Sequence, residues 1–182
     1  MDGAAYLAHA ITYFEAVRRK ADRALAQVDD ARFSRRLDAE SNSLALIVKH
    51  LAGNLVSRWS DFLTTDGEKP TRRRDAEFED ESGDARAALM RQWDEGWTAL
   101  FAALRSLTPA DLDRDVRIRG EPLSVLDAIE RQKEHYAYHV GQVVFLAKHL
   151  MGAEWRSLSI PRGQSEQFHA ERRARGERRG FR

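Results

Sequence analysis

The sequence predicts an all-α protein, and specifically a four-helix bundle with a long crossover between its second and third helices. The main observation is that four stretches of about 20 residues or more carry apolar side chains at steps of three and four residues. The second is that a chain of 182 residues is long enough for one domain with a sizeable core. Helices with one apolar stripe each bury those stripes most simply against one another.

The apolar period places the four helices in order along the chain. The first covers about residues 4–28, and the second begins after residues 41–43 (SNS), which are all preferred N-cap types. The third covers about residues 84–107, and the fourth begins near Ser124, after Pro122. All four are amphipathic rather than apolar all round, which is typical of helices in a globular domain.

Two of the connections carry patterns of their own. Residues 63–83 are charged and contain breakers, so they predict the long crossover, and a loop of that length is often functional. Between the third and fourth helices, Val116 and Ile118 alternate with arginines, which predicts one short strand. Residues 157–161 (SLSIP) are the expected partner of that strand.

The chain divides into a bundle domain at residues 1–160 and a C-terminal extension at residues 161–182. The extension ends in HAERRARGERRGFR, whose many arginines and few apolar residues predict a basic, flexible tail. Within HAERRARGERRGFR the single aromatic residue is Phe181 and there is no recognisable binding module, so nucleic acid is not an expected partner.

Composition excludes several classes of protein. The net charge of +1 creates no global field that would attract nucleic acid or membrane. The absence of cysteine excludes disulfides and any mechanism that uses a thiol of the protein itself, so any metal must be held by His, Asp or Glu. There is no signal-peptide pattern at the N-terminus and no apolar run of about 18 residues, so we expect a cytoplasmic protein without a membrane span.

Three histidines form the pattern that is most informative about chemistry. His135 and His139 are four residues apart on the fourth helix, where such residues lie about 6 Å apart along the axis and can face one ion. Both fall on the flank of the apolar stripe, as His50 does on the second helix. Two helices of a bundle with histidine at the edges of their stripes can bring three imidazoles together.

Three neutral imidazoles would hold zinc, nickel or another borderline divalent ion and leave positions open for water or substrate. Asn54, Gln132 and Gln142 are candidate partners for the remaining ring N–H groups. Spacing alone does not exclude the alternative that these histidines bind no metal, because a histidine on a helix flank is usually an ordinary polar residue. No spacing rule fixes the third ligand.

Three segments carry a family resemblance. They are KHLAGNLVSRWSDFLTTDGEKPTRRRDAEFE (49–79), HYAYHVGQVVFLAK (135–148) and WRSLSIPRGQS (155–165). They resemble a domain-of-unknown-function family within the DinB/YfiT-like superfamily of metalloenzymes, over about residues 40–169.

This resemblance implies the four-helix bundle, a divalent metal that is most often zinc or nickel, no other cofactor, and a homodimer. It implies three histidine ligands, which in this sequence are His50, His135 and His139, with Gly141 and Gln142 following. All three ligand positions are filled.

The resemblance also implies a metal-dependent transferase or hydrolase that uses water or a low-molecular-weight thiol such as bacillithiol or mycothiol. Asp75 or Glu77 is the predicted general base if the crossover reaches the metal. The adjacent arginines at 72–74 would then face an anionic substrate. The alternatives are a non-catalytic metal-binding or stress-related bundle, and a dimeric interaction protein.

Two glycines stand inside predicted helices, where glycine is unfavourable relative to alanine. Gly53 predicts a close approach between helices, with clearance beside the metal as the alternative. Gly141 points away from the core stripe, which suits a dimer contact better than a site.

Overall fold

The computed structural model describes residues 2–79 and 85–176, which are mostly helical. The predominantly helical class predicted from the apolar period is confirmed, and each of the four predicted helices is present with its ends shifted by a few residues. The helices are α1 (Gly3–Leu25), α2 (Asp30–Phe33), α3 (Leu44–Trp59), α4 (Arg86–Ser106), α5 (Val125–Met151) and α6 (Ser165–Ala174). Strands β1 (Asp115–Ile118) and β2 (Glu121–Ser124) form a small sheet.

The two helices that carry the histidines, α3 and α5, are each capped at the N-terminus by a serine side chain. The Ser43 hydroxyl accepts a hydrogen bond from the Leu46 N–H at 3.2 Å, so the predicted N-cap of the second helix is confirmed. Ser124 caps α5 in the same way, accepting from the Asp127 N–H at 3.0 Å. These caps satisfy N–H groups that have no partner within the helix and so fix where each helix begins.

The core lies between the four long helices. The main packed pairs are α3 with α4 and α1 with α5, while α3 also packs on α5 and α1 on α4. The largest fully buried side chains are Trp93 and Trp97 of α4, Tyr136 of α5 and Phe14 of α1. On α4, Gly96 lies so close to α3 that an added Cβ would be 2.7 Å from the Leu55 Cβ, so this glycine permits the close approach of the two helices.

The predicted strand at Val116 and Ile118 is present, but the predicted partner at residues 157–161 is wrong. β1 pairs with β2 in an antiparallel hairpin, with Ile118 opposite Glu121. Arg119 and Gly120 turn the chain between them with φ of 57° and 79°. A two-residue turn with both φ positive matches the twist of a hairpin, so the next residues pair locally.

The crossover is attached to this hairpin. The Asp66 carboxylate accepts from the backbone N–H groups of Arg119 and Gly120 at 2.8 and 2.7 Å. The Gly67 N–H donates to the Arg117 carbonyl at 2.7 Å. Beyond this attachment, residues Asp75–Phe78 form a 3₁₀ turn that contacts α3. Residues 80–84 of the predicted crossover lie outside the described part of the chain.

The C-terminal extension includes α6, whose residues are all at least partly exposed, and residues 177–182 of the predicted tail lie outside the described part of the chain. The division at residue 160 therefore stays a prediction. Across residues 2–79 and 85–176, no helix has the length and apolar character needed to cross a membrane.

Candidate metal centre

The fold brings the three predicted histidines together. His50 is 4% exposed on α3, and the half-buried His135 and His139 lie one turn apart on α5. One ring nitrogen from each residue lies within 4.8 Å of the other two. His50 Nε2 and His135 Nε2 are 3.3 Å apart.

The other ring nitrogens show which atoms face the centre. His50 Nδ1 is 2.9 Å from Glu77 Oε2, and His139 Nδ1 is 2.9 Å from Gln142 Oε1. Both oxygens accept, so the Nδ1 atoms carry the protons and the Nε2 atoms present lone pairs. Within the described residues, His135 Nδ1 is buried and has no hydrogen-bond partner.

The spacing of these lone pairs fits a metal ion. Two nitrogens bonded to a tetrahedral ion at about 2.1 Å lie about 3.4 Å apart. The separation of 3.3 Å between the Nε2 atoms of His50 and His135 is close to that value. An imidazole whose other nitrogen donates to a carboxylate or amide oxygen is the usual arrangement around zinc. The donor set therefore fits a borderline divalent cation.

The surroundings keep the imidazoles of His135 and His139 neutral. Burial, and after it the nearby His139 and His50, lower the pKa of His135 to about 3. Burial also lowers the pKa of His139, and this outweighs the opposing hydrogen bond with Gln142. A metal binds the neutral imidazole, so no proton has to be displaced from these nitrogens near pH 7.

Glu77 is the partner of His50 and is itself held by arginine. Burial would raise the pKa of Glu77, but hydrogen bonds from His50 and Arg72 outweigh this and hold the pKa below its usual range. Arg72 donates to both carboxylate oxygens at 2.8 Å. Arg72 also pairs with Glu68, which accepts from Arg58 at 3.0 Å. A chain of buried charges thus runs from α3 through the crossover to His50.

Gly53 makes room for this carboxylate. It follows His50 by three residues on α3, and a Cβ added at Gly53 would overlap the Glu77 carboxylate. The predicted close approach between helices is therefore wrong at Gly53, and the alternative, clearance beside the candidate metal centre, is what the Glu77 side chain uses. Gly141 has no atom within 4 Å of an added Cβ and lies at the surface.

A cavity of about 470 Å³ opens over the three histidines. Its wall includes the Phe78 ring, whose centroid is 4.7 Å from that of His50, and the exposed Tyr138 of α5. Five arginines also line the cavity: Arg58, Arg72, Arg74, Arg119 and Arg131. The cavity therefore offers Lewis-base ligands at its floor and positive charge on its walls.

Four other predicted site residues have distinct positions. The Asp75 side chain is 97% exposed, and its nearest ionic contact is Arg74 at 3.8 Å. Asn54 accepts from the Tyr136 hydroxyl at 3.1 Å rather than from a histidine, and the Gln132 carbonyl oxygen has no partner within the described residues. Gln142 does contact a ring nitrogen, as predicted.

Sequence reasoning missed the contact between Glu77 and His50, and the contributions of Arg119 and Arg131 to the cavity. A glycine one turn after a candidate ligand is the signal that could have indicated an approaching side chain. Arg119 and Arg131 are distant in sequence from the crossover, so no local pattern connects them with it.

The chain thus has a mostly helical fold with three histidines placed to hold a metal. It belongs to the family described as "Protein of unknown function (DUF1572)", whose model matches residues 2–164. No curated protein and no solved structure matches the chain.

Proposed function

We propose that this chain is a divalent-metal protein of the DinB/YfiT-like superfamily, with a four-helix-bundle fold and His50, His135 and His139 as ligands. The packing of α1, α3, α4 and α5 around one core supports the bundle. The observation that carries the metal proposal is that one ring nitrogen of each histidine lies within 4.8 Å of the other two, with His50 Nε2 and His135 Nε2 3.3 Å apart. Zinc or nickel suits a set of imidazole ligands.

We propose an enzyme that transfers a low-molecular-weight thiol or uses water. When bound, the metal supplies Lewis-acid chemistry that lowers the pKa of a coordinated thiol or water. The chain itself contains no cysteine, so the thiol has to come from a cosubstrate. The cytoplasm is the proposed location, since thiols are kept reduced there.

The roles of Asp75 and Glu77 as general bases stay predictions. Both oxygens of Glu77 accept hydrogen bonds from Arg72 and one of them also from His50, so its contacts favour a role in orienting His50. Asp75 faces solvent, and proton transfer by this side chain requires the crossover to move.

The test of the metal site is metal content by mass spectrometry on protein freed of any purification tag. We expect about one equivalent per chain in the parent and little in His50→Ala and His135→Ala. His149→Ala is the matched control, because His149 is an exposed histidine at the end of the same helix, α5. Circular dichroism checks that each variant is folded.

A parent that takes up neither zinc nor nickel would refute the metal proposal. A metal-binding parent that turns over no substrate in a screen of thiol cosubstrates and hydrolytic substrates would support the non-catalytic alternative. One observation supports that alternative: general-base catalysis needs a residue that accepts a proton, and the cavity wall has Glu134 as its carboxylate residue among five arginines.

We keep the homodimer as a proposal, and α5 offers the face on which to test it. Tyr138 and Phe145 are 62% and 70% exposed, and Gly141 lies between them on the same side of the helix. Exposed aromatic side chains at this spacing suit a contact between two copies. Light scattering should show a dimer in the parent and a monomer in Phe145→Glu, and a monomeric parent would refute the proposal.

A further inference from the structure

The cavity over the histidines is more cationic than its own ion pairs can balance. Glu68 lies within 3.3 Å of Arg58, Arg72 and Arg119, so one carboxylate serves three guanidinium groups. Glu77 provides a second carboxylate, which Arg72 and His50 share. The Asp66 carboxylate at the Arg119 turn is the third carboxylate of this cluster, so the excess of positive charge comes from the arginines outside it.

Two more arginines, with Glu134 as the carboxylate residue of the cavity wall, give the cavity its excess of positive charge. The Arg74 side chain is half exposed, and its ionic contact is the solvent-facing Asp75 at 3.8 Å, a distance at which solvent screens the pair. Arg131 lines the cavity from α5 and makes no ion pair or hydrogen bond with the described residues. A divalent ion at the histidines would add further positive charge.

Buried polar atoms without partners point to a ligand in the same cavity. Arg58 Nε and Gln132 Oε1 are buried and have no hydrogen-bond partner within the described residues, and the two residues are 5% and 3% exposed. Both residues line the cavity, as does His135 with its unpartnered Nδ1. Of these atoms, Arg58 Nε–H is the donor that suits an anion, whereas Gln132 Oε1 is an acceptor and suits a donor group of a bound molecule.

The position of Arg119 is fixed by unusual backbone geometry. Arg119 has a φ of 57°, a conformation that non-glycine residues seldom adopt. The Asp66 carboxylate holds this turn by accepting from the N–H groups of Arg119 and Gly120. The hairpin therefore presents a guanidinium to the cavity from a turn that is anchored to the crossover.

We propose that the substrate carries an oxyanion, a carboxylate or a phosphate, which Arg74, Arg119 and Arg131 bind while the reacting end of the substrate lies at the histidines. This inference rests on the proposed metal function and names the substrate class for the same site. Guanidinium groups bind carboxylates and phosphates through two parallel N–H donors, which fixes orientation as well as charge. The cavity volume of about 470 Å³ suits a small molecule rather than a polymer.

The test uses inorganic phosphate and succinate as probes in isothermal titration calorimetry, at low ionic strength in a chloride-free buffer. The full chain is titrated metal-free, after chelation and desalting, and again loaded with zinc. Arg74→Gln, Arg119→Gln and Arg131→Gln should each weaken binding about tenfold or more, because each removes charge-assisted hydrogen bonds. Arg73→Gln is the matched control, since Arg73 is the exposed neighbour of Arg74 and lines a different cavity.

Tighter binding of phosphate would assign a phosphate group to the substrate, and tighter binding of succinate a carboxylate. Either result supports the proposal if the three variants weaken binding and the control does not. Failure of both anions to bind the parent would overturn it, as would equal affinity in parent and variants. Arginine-dependent binding by a protein that holds no metal would keep the oxyanion site and reject the metal function instead.

Discussion

The neighbouring helices α3 and α4 bury very different side chains. α4 buries only apolar residues and one glycine: Leu89, Trp93, Gly96, Trp97, Leu100, Phe101 and Leu104. α3 is just as deeply buried, yet it includes His50, Asn54, Ser57 and Arg58 among its buried residues. Burying polar groups costs free energy unless each is paired, and all four have partners on α5 or the crossover.

The difference separates stability from chemistry within one packed pair. Changes on α4 should alter the free energy of unfolding and leave the metal affinity of the folded protein intact. Changes at the polar groups that contact the histidines should lower the metal affinity, whether or not they also lower stability. Each prediction below tests one side of this contrast.

The largest effect is expected from Leu100→Ala on α4. Leu100 is fully buried, and its truncation removes apolar contacts and leaves a cavity, so the free energy of unfolding should fall by about 2–5 kcal/mol. Urea denaturation followed by circular dichroism measures the change. The folded variant should still bind one equivalent of zinc with the parent's affinity, and a loss of affinity would contradict the separation of roles.

The same contrast explains what the sequence could reveal. The apolar stripes that bury Leu100 and Tyr136 follow the helical period, so the four long helices and their core could be predicted. The three histidines could be named because two of them share one helix face at a spacing of four residues. These features depend on local periodicity, which a sequence displays directly.

The remaining features depend on contacts between distant segments. Glu77 reaches His50 across 27 positions, and Asp66 reaches Arg119 across 53. The hairpin partner was predicted wrongly because the turn at Arg119 and Gly120 requires positive φ, which a single glycine after arginine indicates only weakly. The short helix α6 has no buried face, so its sequence has no apolar stripe from which the helix could be predicted.

The next effect in size is expected from Glu77→Gln. The amide can still accept from His50 Nδ1 but loses the charge that strengthens the hydrogen bond, so zinc affinity should fall about 10- to 100-fold. Arg72 also loses an ion-pair partner, which should lower the free energy of unfolding by about 1–3 kcal/mol. Competition with a chelator of known affinity measures the first quantity, and urea denaturation the second.

Glu68→Gln is the matched control for Glu77. Glu68 also pairs with Arg72 but makes no contact with a histidine, so this variant should lose stability while its zinc affinity stays within about threefold of the parent. Equal losses of affinity in the two variants would show that Glu77 acts through the charge cluster as a whole rather than through His50.

The smallest effects are expected from alanine substitutions at two glycines, Gly53 on α3 and Gly96 on α4. In Gly53→Ala the new methyl group meets the Glu77 carboxylate, which must move away from His50, so zinc affinity should fall about tenfold. Alanine favours the helix over glycine by about 1 kcal/mol, which offsets most of the stability lost as the carboxylate moves away from Arg72, so the free energy of unfolding should fall by about 1 kcal/mol or less.

Gly96→Ala should give the opposite pair of results. Its methyl group meets the Leu55 Cβ and the Ala52 carbonyl oxygen of α3, neither of which can rotate away, so the helices must separate and stability should fall by about 1–3 kcal/mol. Its zinc affinity should match that of the parent, because no residue it displaces contacts a histidine nitrogen. If Gly53→Ala instead lost stability and kept its affinity, Gly53 would serve packing as Gly96 does, and the Glu77 carboxylate would not control His50.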